Sequence, residues 1–167
     1  KGRGNMTWTL PKKPYKLKLD KKLNVLDMPS KNKHWILVAN YLDQTLLKND
    51  TAFCMSRQLA LDWTPSSRPV EFYLNGSYQG AYSMIEHIRD DAERVNIGSR
   101  IGTVEAPHPD DGFFVEMDWR LGEPFYFHTW IGHAYTIKTD SSSAERDLIA
   151  QYIFDFESRL YDRSNPN

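Results

Sequence analysis

Three cations and a glycine crowd the first fifteen residues: Arg3-Gly4-Asn5 is followed by Lys12-Lys13-Pro14-Tyr15. A glycine lets main-chain N–H groups come close to a ligand, and Arg or Lys neutralises its charge, a combination that suits a polyphosphate. The bias is wider than this cluster. Residues 1–33 hold ten Lys or Arg and two Asp, although the whole chain has a net charge of −1. A solvated strand face, a nucleic-acid arm and a phosphate-binding surface all fit that bias. Further along, Glu116 and Asp118 stand at i and i+2 on an expected strand, with His108, Asp110 and Asp111 just upstream. Such a set reads first as solvated carboxylates, with a hard divalent cation as the alternative.

Glu86 falls near the end of an expected strand. It is either a surface acid on an edge strand or the partner of a phosphate-contacting lysine, the pairing that protein kinases use. The chain lacks Gly-x-Ser-x-Gly, Gly-x-x-x-x-Gly-Lys-Ser/Thr and Gly-x-Gly-x-x-Gly, which removes support from hydrolase, P-loop and Rossmann readings. Asp43 to Asn49 is one residue too long for a kinase Asp-x-x-x-x-Asn loop and falls inside an expected helix. The single cysteine, Cys54, excludes an internal disulfide and reads as a small core residue. His128 and His133 flank a turn and read as structural. Trp8, Trp63, Trp119 and Trp130 read as core aromatics, with exposed binding aromatics as the alternative.

These residues must be carried by elements that the patterning predicts. In 14–20, apolar and basic residues alternate, placing Tyr15, Leu17 and Leu19 inward and Lys16 and Lys18 outward on a strand. The apolar run 34–39 suggests a second strand. A helix is expected over Asp43 to Leu61, with Leu42, Leu46, Phe53, Met55 and Leu59 along one side. Val70, Phe72 and Leu74 lead into Asn75-Gly76, a hairpin signal, and Tyr78 to Ile88 returns. A short helix at Asp91 to Asn96, a strand over Gly112 to Trp119 and a hairpin of 125–129 with 134–138 follow. Ser142-x-x-Glu145 is a capping box before an amphipathic helix through Leu160, and the chain then runs into a polar tail over 162–167.

At 167 residues, with 40% hydrophobic and 26% charged side chains, the chain reads as one folded domain of the α+β class. Its sheet is expected to be mostly antiparallel, with two or more sizeable helices. No run of 18 apolar residues is present, so no membrane span is expected.

Several short motifs, taken in order, resemble the CotH kinase family, the spore-coat protein H-like atypical kinases. They are Arg3-Gly4-Asn5-Met6-Thr7-Trp8, Lys12-Lys13-Pro14-Tyr15, 35–41, Leu46-Leu47-Lys48-Asn49 and the 74–82 run with Gly76, Tyr78, Gly80 and Tyr82. The likeness continues through Glu86, Arg94-Val95-Asn96-Ile97 and 112–118, covering nearly the whole chain. The resemblance implies a protein-kinase-like fold, ATP with Mg or Mn, and transfer of phosphate to Ser or Thr of a protein such as a spore-coat or surface component. By the same resemblance, Arg3, Lys12 and Lys13 correspond to the phosphate-contacting region and Glu86 to its acidic partner. The family's catalytic Asp and Asn and its metal-holding acids lie further along. The chain is therefore expected to be a fragment of a longer kinase domain that binds nucleotide without turnover. A binding or adhesion module of a cell surface or spore coat that keeps the fold without catalysis is the alternative. A carbohydrate- or nucleic-acid-binding sheet using exposed aromatics is a third reading, not carried by the resemblance, and the expected partner is a protein substrate with no nucleic acid.

Overall fold

The computed structural model describes residues 1–119, 122, 124–139 and 142–162. The polar tail past Asp162 lies outside the described residues. The chain divides into two compact units, Lys1–Asn96 and Ile97–Asn167. Both are α+β with antiparallel sheets, and the described residues form three helices.

In the amino-terminal unit, β1 (Tyr15–Leu23), β2 (Asn32–Val38), β3 (Ser67–Leu74) and β4 (Ser77–Glu86) form one antiparallel sheet in the order β1-β2-β4-β3. A short helix, α1 (Met6–Thr9), precedes it, and α2 (Lys48–Gln58) connects β2 to β3. The β3–β4 turn is the expected hairpin, with Asn75 at φ 50° and Gly76 at φ 80°, values that Asn and Gly adopt at least cost.

The pairing register sorts side chains between two faces. Tyr15 lies opposite Leu37, Leu17 opposite Trp35, Leu37 opposite Met84 and Val70 opposite Tyr82. On that face Leu37, Ala39 and Tyr82 are buried, and Tyr15, Leu17, Val70, Phe72 and Met84 pack on them. Phe72 meets Tyr15 and Tyr82 at centroid separations of 5.5 and 5.1 Å, contacts worth about 0.5–1.5 kcal/mol each beyond burial. The opposite face carries Lys16 beside Ile36, Ile36 beside Ile85, and Lys18 beside His34.

Glu86 ends β4, an interior strand, and is 1% exposed, which excludes the surface-acid reading. Its Oε1 accepts from the Ser30 amide at 3.1 Å and from the Ser30 hydroxyl, and its Oε2 accepts from the Ser66 amide at 2.9 Å. The carboxylate thus ties the β1–β2 loop and the segment before β3 to the end of β4. Buried Arg94 joins the network by donating Nε to Ser30 Oγ at 3.1 Å and Nη1 to the carbonyls of His34 and His87, with its guanidinium 4.8 Å from the Trp35 ring centroid.

Three expectations are corrected here. The helix begins at Lys48, not Asp43, because the Asp43 carboxylate accepts from the Thr45 amide, the Thr45 hydroxyl and the Lys48 amide. That turn, with Leu46 at φ 59°, is incompatible with helix before Lys48. No residue of α2 is buried, Met55 and Leu59 are exposed, and so is Cys54, which is no core residue. Asp91 to Asn96 is no helix. A parallel bridge joins Asp90 and Val95, and Asp91 uses its carboxylate on the Glu93 amide, Asn32 and Lys22.

In the carboxy-terminal unit, β5 (Val115–Met117), β6 (Tyr126–His128) and β7 (Ala134–Ile137) form a sheet in the order β5-β7-β6. Phe127 and Ile137 bury themselves with Ile149 of α3 (Ser143–Leu160). The capping box is formed as expected: the Glu145 amide donates to Ser142 Oγ at 3.2 Å, and Ser142 N donates to Glu145 Oε2 at 3.3 Å. Glu145, fully buried, also pairs with Arg100. A Cβ at Gly112 would meet the Ile97 carbonyl oxygen at 1.8 Å, so only glycine fits there. His133 is structural, as expected, donating to buried Glu157 at 3.0 Å, and Tyr135 donates to the same oxygen. Burial, and then that carboxylate, push the Tyr135 hydroxyl up to about 12.

Two stability outcomes follow from these contacts. Glu86→Ala strands the Ser30 and Ser66 amides and lowers stability by roughly 3 kcal/mol, read from urea unfolding. Ser142→Ala removes only the cap and costs about 1 kcal/mol in the same assay. A Glu86→Ala loss no larger than that of Ser142→Ala contradicts the role given to the buried carboxylate.

Candidate phosphate site on the basic face of the sheet

The alternation that buries Tyr15 and Leu17 forces Lys16 and Lys18 onto the other face. Carried past β4, the same period places His87 and Arg89 on the side of Ile85. Lys16 is half-buried, and burial followed by the charges of Arg89, Arg3 and Lys1 holds its ammonium below the usual lysine range. His87 is held down to about 4 by burial and then by Lys16, Arg3, Arg89 and His34. The charges acting most strongly on it are therefore all basic groups, gathered from the amino-terminal segment, β1, β2 and the segment after β4.

His34 is also held low, by burial first and then by Arg89, Lys16, Lys18 and Arg94. Arg89 Nη1 contacts His34 Nδ1, and a guanidinium can only donate. Nδ1 therefore accepts, and His34 is a neutral ring with its proton on Nε2. Two polar atoms of this group, Arg89 Nε and His87 Nδ1, are buried without a hydrogen-bond partner. Arg89 Nε can only donate, and a buried unpaired donor costs about 1–3 kcal/mol.

A cavity of about 210 Å³ is lined among others by Arg3, Lys12, Val38, Asn40, Asp43 and Lys48. Its size is below the roughly 300–1,000 Å³ of pockets that enclose a drug-sized ligand. Arg3 is common to the cavity and to the charges acting on Lys16 and His87. Gly4, at φ 81°, gives the adjoining backbone its turn. Asn40, at φ 50°, donates to Ser83 Oγ at 2.8 Å and so fixes the far wall to β4.

The residues singled out in the sequence divide accordingly. Arg3 and Lys12 share the cavity. The Lys12 ammonium donates to the Ala81 carbonyl and lies 4.5 Å from the Tyr82 ring centroid, while Lys13 donates to the Trp8 carbonyl at 2.7 Å. Both pin the segment before β1 in place. Glu86 is brought to neither lysine, and it lines a separate cavity of about 570 Å³ with Ser30, Ser66, Arg57, Trp63 and Glu93. Sequence reading passed over Lys16, His34, His87 and Arg89. The signal available was the period of two, extended beyond Glu86 and read for the basic side of the strand as well as the apolar one.

Among the described residues no three His, Cys, Asp or Glu side chains converge as metal ligands would. Glu116 pairs with Lys138 at 3.1 Å, and Asp111 accepts the amides of Ile101, Gly102 and His108, which hold its carboxyl below the usual range. Trp8, Trp119 and Trp130 are exposed, the last two at 70% and 64%, so the core reading fails for them. No described helix is long and apolar enough to cross a membrane.

Neither curated proteins nor solved structures include a match to this chain. The model of the family described as CotH kinase protein matches residues 1–155. With that match spanning most of its 167 residues, the chain belongs to the CotH kinase family.

Proposed function

We propose that the amino-terminal unit binds the phosphates of a nucleotide on the basic face of its sheet, as part of a kinase that phosphorylates Ser or Thr of a protein. The observation that supports this most is the buried Arg89 Nε and His87 Nδ1, without partners amid Arg3, Lys16 and His34. Phosphate oxygens are acceptors and carry multiple negative charge, which suits the Arg89 donor and the cations around it. Lys16 acts as a point charge, Arg89 as a directional donor, and Arg3 links the phosphates to the cavity beside Val38. ATP, when bound, supplies the transferable phosphoryl group. The metal that accompanies it in the family is assigned no ligand among the described residues. Glu86 acts on this reading as a structural acid, since its oxygens are committed to Ser30 and Ser66.

Membership of the family extends the reading to a protein substrate, a spore-coat or surface component being the kind the family suggests. A second reading, a surface-binding module, draws on the exposed Trp119 and Trp130. Calorimetric titration with Mg-ATP at pH 8 separates them. The expected result is binding that weakens about tenfold or more, roughly 1.4 kcal/mol, in Lys16→Ala and in Arg89→Ala. Lys21→Ala, at the exposed end of β1, leaves it within about twofold, the scale of an exposed charge. Unchanged affinity in both site variants contradicts the assignment, and no binding by the parent protein favours the surface module.

A further inference from the structure

We propose that the basic face takes up a proton when it takes up a multiply charged oxyanion, and that the proton goes to His87. The inference rests on the phosphate-binding reading above and concerns its pH dependence. His87 Nδ1 is buried and unpartnered, whereas His34 Nδ1 already accepts from Arg89. Of the two rings, 6.4 Å apart between centroids, His87 is thus the one whose Nδ1 is not already engaged.

Burial is the first cause that keeps His87 neutral, and cations add to it from Lys16 on β1, Arg3 in the amino-terminal segment and Arg89 after β4, with the neutral His34 ring of β2 beside it. The neighbouring acids are engaged elsewhere. Glu86 holds Ser30 and Ser66 on the opposite face, and Asp91 holds Lys22 and Asn32. A dianion placed among the cations reverses the local sign of the field. The imidazolium, disfavoured by burial and by like charge, then gains a counter-charge and becomes a further donor to the anion. By linkage, a ligand that raises the affinity for a proton is itself bound more tightly as pH falls.

The sign for the free protein is opposite. With His87 held down to about 4 and an unfolded imidazole near 6.5, the unfolded chain binds the extra proton first. Stability from this group is present above about 6.5 and is lost as pH falls toward 4. An oxyanion should offset that loss.

Sulfate is the probe, because its own charge stays fixed across the working range. Proton NMR of the imidazole Hε1 signals is followed from pH 8 to 5 in sodium sulfate and in sodium chloride of equal ionic strength, with His87→Gln identifying the resonance. The expected result is a His87 titration midpoint inside this window in sulfate and none in chloride, a rise of about one unit or more. Arg89→Ala abolishes the difference. Equal behaviour in the two salts, or a shift that persists in Arg89→Ala, overturns the proposal. Mg-ATP binding at pH 8, where both rings are neutral, stands apart from this outcome. Binding there that depends on Lys16 and Arg89, with no sulfate effect on His87, leaves the phosphate reading intact and removes only the proton coupling.

Discussion

Like charges held together on one face of a sheet repel, and the amino-terminal unit depends on how that repulsion is contained. Two unit charges 4 Å apart cost about 4 kcal/mol at the effective dielectric of a protein surface. Arg3 and Arg89 act on both Lys16 and His87, and Arg89 and Lys16 act on His34. The fold contains the cost in two ways. Both histidines are neutral, one because an arginine donates to it and the other through burial and its basic neighbours. The other face of the sheet, packed with Leu37, Tyr82, Phe72 and Tyr15, supplies apolar burial that holds the strands in register. The residual electrostatic strain is what an anion would relieve, so the same crowding that opposes folding favours binding.

Glu86 serves that arrangement from behind. By gathering the Ser30 and Ser66 amides, it fixes both loops at the end of β4, from which His87 and Arg89 continue. Arg94 closes the same corner by bonding the carbonyls of His34 and His87, so the backbone that presents the two rings is tied by one buried guanidinium. A carboxylate that sequence places beside a phosphate-binding lysine is, in the folded chain, the anchor of the strand end that carries the basic group.

Where local chemistry decides the outcome, the sequence was legible. Alternation set β1, Asn75-Gly76 set the hairpin, and Ser142 with Glu145 set the start of α3. Of the amino-terminal cations, Arg3 and Lys12 line one cavity, while Lys13 turns to the Trp8 carbonyl. What was not legible depends on contacts between distant residues. The start of α2 is delayed by Asp43 capping from five residues away, and the apolar positions near it find no core. The partners of Glu86 are separated from it by 56 and 20 residues, a pairing no periodicity reports. The two histidines lie 53 positions apart and meet only because β2 pairs with β4.

The central claim is that phosphates lie across the basic face of the sheet. Amide chemical-shift mapping of the ¹⁵N-labelled protein with a non-hydrolysable Mg-ATP analogue tests it most directly. Phosphates bound there perturb Arg3, Lys16, Ile36, His87 and Arg89 most, with Val38 and Asn40 following. Perturbations centred instead on Trp63, Ser66 and Lys31, around the cavity that Glu86 lines, or confined to residues after Asn96, would contradict it.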